Sequence, residues 1–243
     1  MIRHFRDIQT SDTECYHGLR MTAEEYLALN ETQERYELID GVVCLMSEPA
    51  FIPEDEEVFH GLRMTAEEYH AIGETQLRYE LIDGVVCMSP SPTPLHQRLI
   101  TQLSAAITYF ANARQLGEAL VEVDVHLGKG PLGSDLVYRP DIIFLSKGKM
   151  AQVGDRIVVP PDLAVEIISF RSRRMDYQTK KDDYERFGVA EYWLIDPERG
   201  TMDFFTLRNG RYEPIPVVDD KLHSEVISGF ELDLPHVRAI FVQ

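Results

Sequence analysis

Two acidic residues lie where apolar packing alone gives little reason for them. Asp141 follows Pro140 at the entry of the apolar run DIIFLS, and Glu166 sits inside a second run, DLAVEIIS. A carboxylate embedded in an apolar strand is costly unless it is paired, hydrogen-bonded or bound to a metal. If the two runs are neighbouring strands, Asp141 and Glu166 stand side by side and offer hard oxygen ligands suited to Mg²⁺ or Mn²⁺. An edge strand with Glu166 pointing outward is the competing arrangement. Zinc would want a His or Cys cluster, and Cys15, Cys44 and Cys87 have neither metal spacing nor the numbers for a disulfide framework. A Lys is the natural third member, and Lys180 and Lys181 follow in RSRRMDYQTKKDDYERFG. A cation there orients an attacking water or stabilises charge on a phosphorane-like transition state. The alternative is a solvated helix face with Asp182, Asp183 and Glu185 as partners, and for Lys181 that alternative is preferred.

Positioning these groups calls for an α/β order with a mixed sheet. Thr65 with Glu68 forms a capping-box signature that opens a helix from Ala66 to about Ile72. RYELIDGVVCMS reads as two strands around an Asp83-Gly84 turn. A stiff SPSPTP linker leads into a long helix over about 95–115, apolar at Leu99, Ile100, Leu103, Ile107 and Phe110. Further strands are expected at 119–127, 141–146, 162–169 and 191–196, a helix over about 174–187, and a hairpin over 201–218 across Asn209-Gly210.

Other features carry less. GKGPLGS does not meet the order of a phosphate-binding P-loop. Asp124 and His126 alternate on a strand and are explained by a half-exposed sheet face. Tyr192 and Trp193 lie in a core-type strand and read as packing residues.

The ordered tract MTAEEY…RYELIDGVV…SPSPTPLHQ…RPDIIF…PDLAVEIIS…D…K…YERFGVAEYWLIDPE resembles the Uma-two family of restriction-endonuclease-like proteins, within the PD-(D/E)XK nuclease superfamily. The resemblance runs from Met64 nearly to the C-terminus. It implies a restriction-endonuclease-like core, a mixed β-sheet flanked by helices, and hydrolysis of DNA phosphodiester bonds with Mg²⁺ or Mn²⁺. On that resemblance the PD motif falls on Pro140-Asp141 and the later acid on Glu166. The usual Lys place, two after Glu166, is Ile168, and the Lys is carried instead by Lys180 on the following helix. Glu80 in YELIDG matches an additional acid, duplicated at Glu37, and His96 matches a recurrent position whose plain alternative is a surface His at a helix start. One departure is the turn after the Glu strand, Ser169-Phe-Arg-Ser172 in place of a Ser-Pro-Ser-Thr type, which bears on the loop that positions Lys180. Arg171, Arg173 and Arg174 in the same stretch are candidate DNA phosphate contacts, with a surface charge run as the competing reading.

The chain also contains a duplication. HGLRMTAEEYLALNETQERYELIDGVVC at 17–44 recurs at 60–87, an offset of 43, with 24 of 28 positions identical. Two near-identical copies are too few for a solenoid and read as one structural piece repeated. Continuity with the SPSPTP linker makes the second copy the resident one. Residues 1–61 then form an appended partial duplicate ending in the acidic, Pro-punctuated stretch 48–57, which reads as linker or disorder, and 62–243 form the nuclease domain. Deletion of 1–59 is expected to leave fold and stability almost unchanged, with docking of the spare copy on another chain as a second arrangement.

The chain carries 24 Lys+Arg against 41 Asp+Glu, a formal charge of −17. Such acidity argues against a sequence-blind phosphate binder, whose affinity comes from Lys and Arg displacing counterions. Residues 1–60 hold four basic and 14 acidic residues, a net of −10, so the nuclease part carries only −7. With no apolar run near membrane-spanning length and no signal-peptide pattern, no membrane partner and a cytoplasmic location are expected. The leading expectation is a metal-dependent DNA endonuclease, a homodimer by analogy with cutters of both strands. The other is a non-catalytic nucleic-acid-binding or protein-interaction module on the same fold.

Overall fold

The computed structural model describes residues 15–29, 34–46, 58–89 and 91–242. The acidic stretch 48–57 lies outside the described residues. Each copy of the repeat builds the same unit. In the first, α1 (Ala23–Leu27) opens on a Thr22–Glu25 capping box and leads to the hairpin β1 (Tyr36–Ile39) and β2 (Val42–Leu45). In the second, α2 (Ala66–Ala71) opens on Thr65–Glu68 and leads to β3 (Arg78–Ile82) and β4 (Val85–Ser89). Both hairpins turn at Asp-Gly with positive φ at both residues, 48° and 84° at Asp40-Gly41, 46° and 82° at Asp83-Gly84. That is the primed turn whose twist matches the strands.

Thr93 caps α3 (Pro94–Arg114), and Pro94 occupies its first turn, where a missing N–H costs nothing. The chain continues through β5 (Gly117–Val121), β6 (Val125–Lys129), β7 (Asp135–Tyr138), β8 (Ile142–Ser146), α4 (Lys147–Met150) and β9 (Leu163–Ile167). The single strand expected at 119–127 is two: Glu122 takes φ 50°, breaking the run, and β5 pairs with β8 while β6 pairs with β7 in another sheet. The helix expected over 174–187 begins as a π-helical segment, Met175–Lys180, and becomes α5 (Lys181–Phe187), stopped by Gly188 at φ 80°. Then follow β10 (Glu191–Asp196), β11 (Thr201–Arg208), β12 (Arg211–Pro214), β13 (Lys221–His223), β14 (Glu231–Asp233) and α6 (Leu234–Phe241).

The main sheet is mixed, in the order β12-β11-β10-β9-β8-β5, with β9 and β10 parallel and its other pairs antiparallel. A second sheet runs β4-β3-β7-β6. Alternation along the central strands sends Ile142, Phe144, Val165, Ile167 and Trp193 to a face covered by Leu99, Leu103 and Ile107 of α3 and Val237 and Ile240 of α6. Ile143, Leu145, Ala164, Tyr192 and Leu194 go to the other face, with Tyr138 and Tyr184. Burial on both faces is why the sequence shows unbroken apolar runs there. Trp193 lies at 6.3 Å and 18° to Phe230, a packing role as expected. Among the described residues no helix is long and apolar enough to cross a membrane.

The first copy does not stand apart from the rest of the chain. Val42, Val43 and Cys44 are fully buried. Val42 and Cys44 share one core cluster with Ile82, Val85 and Cys87 of the second copy and with Tyr138 and Tyr184. The reason is physical: identical sequence gives both hairpins an apolar face that must be covered. At about 1.5–3 kcal/mol per fully buried aliphatic side chain, uncovering this contact is expected to lower stability by several kcal/mol.

Candidate active site

Strand pairing sets the first two groups. Ile142 of β8 faces Val165 of antiparallel β9, so one step outward Asp141 faces Glu166. Asp141 Oδ2 accepts the Ile167 N–H at 2.7 Å. His96 Nε2, from the first turn of α3, lies 3.2 Å from the same oxygen, and Arg78 Nη2 of β3 lies 3.5 Å from Oδ1. Glu166 Oε1 accepts from Lys180 Nζ at 3.0 Å and from the Tyr184 hydroxyl at 3.0 Å. The same ammonium is 3.0 Å from Glu80 Oε1, which also accepts the Arg139 N–H at 2.8 Å. Asp176 Oδ1 lies 3.6 Å from Lys180. Glu80, Asp141, Glu166, Asp176 and Lys180 are all buried, none more than 5% exposed.

The local backbone explains how Lys180 arrives. Ser169 and Ser172 close a tight turn reciprocally, Ser169 N–H to Ser172 Oγ at 3.0 Å and Ser172 N–H to Ser169 Oγ at 3.1 Å. The unusual Ser-Phe-Arg-Ser sequence is therefore pinned by its own hydroxyls, and the π-helical segment that follows carries Asp176 and Lys180 inward. Such segments are rare and concentrate where side chains must be re-aimed.

Three carboxylates, Glu80, Glu166 and Asp176, share the Lys180 ammonium, while Asp141 faces His96 and Arg78, so Lys180 alone does not balance the acids around it. Burial pushes the Glu166 carboxyl well above the usual carboxylate range; Lys180 opposes this, and Asp176, Asp141 and Glu80 add to it. Burial likewise raises Asp176 to about 7 against the pull of Lys180. For Asp141 burial also acts upward, but the hydrogen bond and charge of His96, the Ile167 N–H and Lys180 outweigh it and hold the group low. Burial works against the Lys180 ammonium, yet Glu166, Glu80 and Asp176 hold it charged far above neutral pH. Lys180 is therefore a fixed cation and not a base.

The donor set suits a hard divalent cation. All candidate ligands are carboxylate oxygens, and the buried Asp176 Oδ1 makes no hydrogen bond. Among the described residues no three His, Cys, Asp or Glu side chains already form a ligand cage. The Lys180 ammonium stands between Glu80 and Glu166 instead.

The expected site residues Glu80, Asp141, Glu166, Lys180 and His96 thus meet in one place, and His96 faces Asp141 instead of solvent. Lys181 turns away, its ammonium 3.7 Å over the Phe205 ring. Of the three arginines, Arg173 is the one turned inward. Arg173 is buried and forks onto Asp196 at 2.8 and 3.3 Å, with Glu198 at 2.6 Å, so it clamps the end of β10 and is not offered to a phosphate. Arg171 pairs with Glu34 at 3.2 Å and Arg174 lies 4.9 Å over the Tyr16 ring, both toward the first copy. Sequence reasoning missed Asp176 and Arg78. The signals were Asp176 one helical turn before Lys180, and Arg78 two before Glu80 on the same strand face.

No curated protein matches the chain. The Uma2 family, described as "Putative restriction endonuclease", matches residues 66–235. Among solved structures the chain is similar to one described as "a putative nuclease belonging to DUF820 from Anabaena variabilis", with TM-score 0.63 and 18% identity, covering 73% of this chain and 99% of that one. At that identity the likeness is one of fold. The family match begins after the first copy of the repeat.

Proposed function

The chain belongs to the Uma2 family, and on that footing we propose that it is a metal-dependent endonuclease that hydrolyses phosphodiester bonds in DNA. The observation that carries this reading is the convergence of Glu80, Asp141, Glu166 and Lys180, from four separate segments, on one buried cluster with Lys180 Nζ 3.0 Å from both glutamates. Asp141 and Glu166 would hold Mg²⁺ or Mn²⁺, which supplies Lewis-acid stabilisation of charge on the phosphate. The protein's own groups do the rest. Asp141 stays ionised, its carboxylate oriented by His96 and the Ile167 N–H. Glu80 and Tyr184 fix the positions of Lys180 and Glu166. Lys180, held as an ammonium, orients the attacking water and offsets negative charge developing on phosphate oxygens; it does not remove a proton.

A non-catalytic nucleic-acid-binding module is the second reading, favoured by one observation: Lys180 already neutralises the space between Glu80 and Glu166. Incubation of the protein with supercoiled plasmid and Mg²⁺ or Mn²⁺ separates the two. Nicking that is lost in both Asp141→Ala and Glu166→Ala supports the endonuclease. DNA binding without nicking supports the module. Neither binding nor nicking, in folded protein, counts against both.

A further inference from the structure

The two copies of the repeat meet each other in a specific way. Equivalent residues touch: Cys44 Sγ lies 3.8 Å from Cys87 Sγ, and the rings of His17 and His60 are 5.7 Å apart. Unlike residues meet crosswise. Arg20 pairs with Asp83, while Arg63 pairs with Asp40 at 2.6 Å. A Cβ on Gly18 would come 3.4 Å from Ile82 Cδ1, and one on Gly61 would come 3.2 Å from Ile39 Cδ1. His60 bonds the Leu45 carbonyl at 2.9 Å, and His17 meets the Met88 backbone. Every member of each pair maps onto its counterpart by the repeat offset of 43. Residue i touching j′ while i′ touches j is the signature of an isologous, two-fold contact, the kind that joins identical subunits.

The symmetry stops where the rest of the chain begins. Arg20 also reaches Asp183 of α5 at 2.8 Å, and Asp83 is fully buried, whereas the equivalent Arg63–Asp40 pair is largely exposed. Only the second copy has a nuclease domain behind it, so only its side of the contact continues into the core.

We propose that residues 15–46 are a tethered stand-in for a second subunit: the face they cover on the second copy and on Asp183 is a self-association surface, whose other occupant is the 58–89 segment of another copy of this chain. The reciprocal contacts require this complementarity, because any surface that fits the first copy also fits its near-identical twin. In such a pair the partner's Arg63 takes the place of Arg20 between Asp83 and Asp183. The first copy, being tethered, fills the face at high effective concentration and keeps the intact chain unpaired through it.

The test uses the full chain and its mass in solution. The unmodified protein is expected at 27.9 kDa. Arg20→Glu sets a like charge against Asp83 and Asp183, releases the first copy and is expected to double the mass in a concentration-dependent way. Adding Arg63→Glu, at an exposed position, is expected to return that variant to monomer, and the single Arg63→Glu chain, which loses only the largely exposed pair with Asp40, is expected to stay monomeric. A folded Arg20→Glu protein that stays monomeric overturns the proposal, as does a dimer indifferent to Arg63→Glu. Should Arg20→Glu not fold, the milder Arg20→Gln, which removes the charge between Asp83 and Asp183, decides: a folded protein whose mass doubles with concentration and returns to monomer on adding Arg63→Glu supports the proposal, and one that stays monomeric overturns it.

Discussion

Lys180 Nζ lies 3.0 Å from Glu166 Oε1, at the same oxygen to which Tyr184 donates at 3.0 Å. The pair is the hinge of the site: it fixes the strand carboxylate by a cation from a helix. Breaking one side of such a pair costs more than the pair itself contributes, because the other charge is left buried and alone.

Lys180→Met is therefore expected to lower stability by about 3–5 kcal/mol at neutral pH, the range for an orphaned buried charge. Denaturant unfolding measures it. The loss should shrink toward pH 5, as the raised carboxyls take up protons. A loss below about 1 kcal/mol at neutral pH would contradict the electrostatic role given to this ammonium.

The contact between the repeats should weaken in acid. Burial first, then the facing His60 and Arg171, lower His17 to about 4 against the opposing Met88 backbone bond, and burial lowers His60 too. Between pH 6.5 and 4 the unfolded chain binds protons at His17 that the folded chain refuses. Stability from this group is thus complete above 6.5 and is lost as pH falls toward 4, by up to about 3 kcal/mol. His17→Asn keeps an acceptor for the Leu45 N–H and should flatten the melting temperature across that window; an unchanged slope would contradict the assignment.

Arg173→Ala should act on stability and not on DNA. It leaves Asp196 buried beside an empty place, expected to cost about 3–5 kcal/mol. The salt dependence of DNA binding should not change. A salt slope reduced by about one, with unfolding unaffected, would restore Arg173 as a phosphate contact.

Much of the site could be read from residue order because strand periodicity carries it. Asp141 and Glu166 stood out as charges in apolar runs, and both capping boxes and Asp-Gly turns have local chemical causes. The break at Glu122 did not show, because alternation continues across it and no Gly or Pro marks the turn. Over six residues a π-helical segment has no sequence period distinct from an α-helix, so nothing in the sequence marked Asp176 as inward-facing. The repeat showed that both hairpins own the same apolar face; that the faces meet is a tertiary fact which near-identity implies only once burial is counted.

DNA cleavage is proposed for the Glu80–Asp141–Glu166–Lys180 cluster. Its most direct measurement is the single-turnover nicking rate of supercoiled plasmid at saturating Mg²⁺, compared across the unmodified protein, Glu166→Gln and Lys181→Met. A fall of at least about 100-fold is expected for Glu166→Gln, the scale on which losing one electrostatic group slows such chemistry, and a rate within about 3-fold of the unmodified protein for Lys181→Met. Equal rates for Glu166→Gln and the unmodified protein would contradict the proposal.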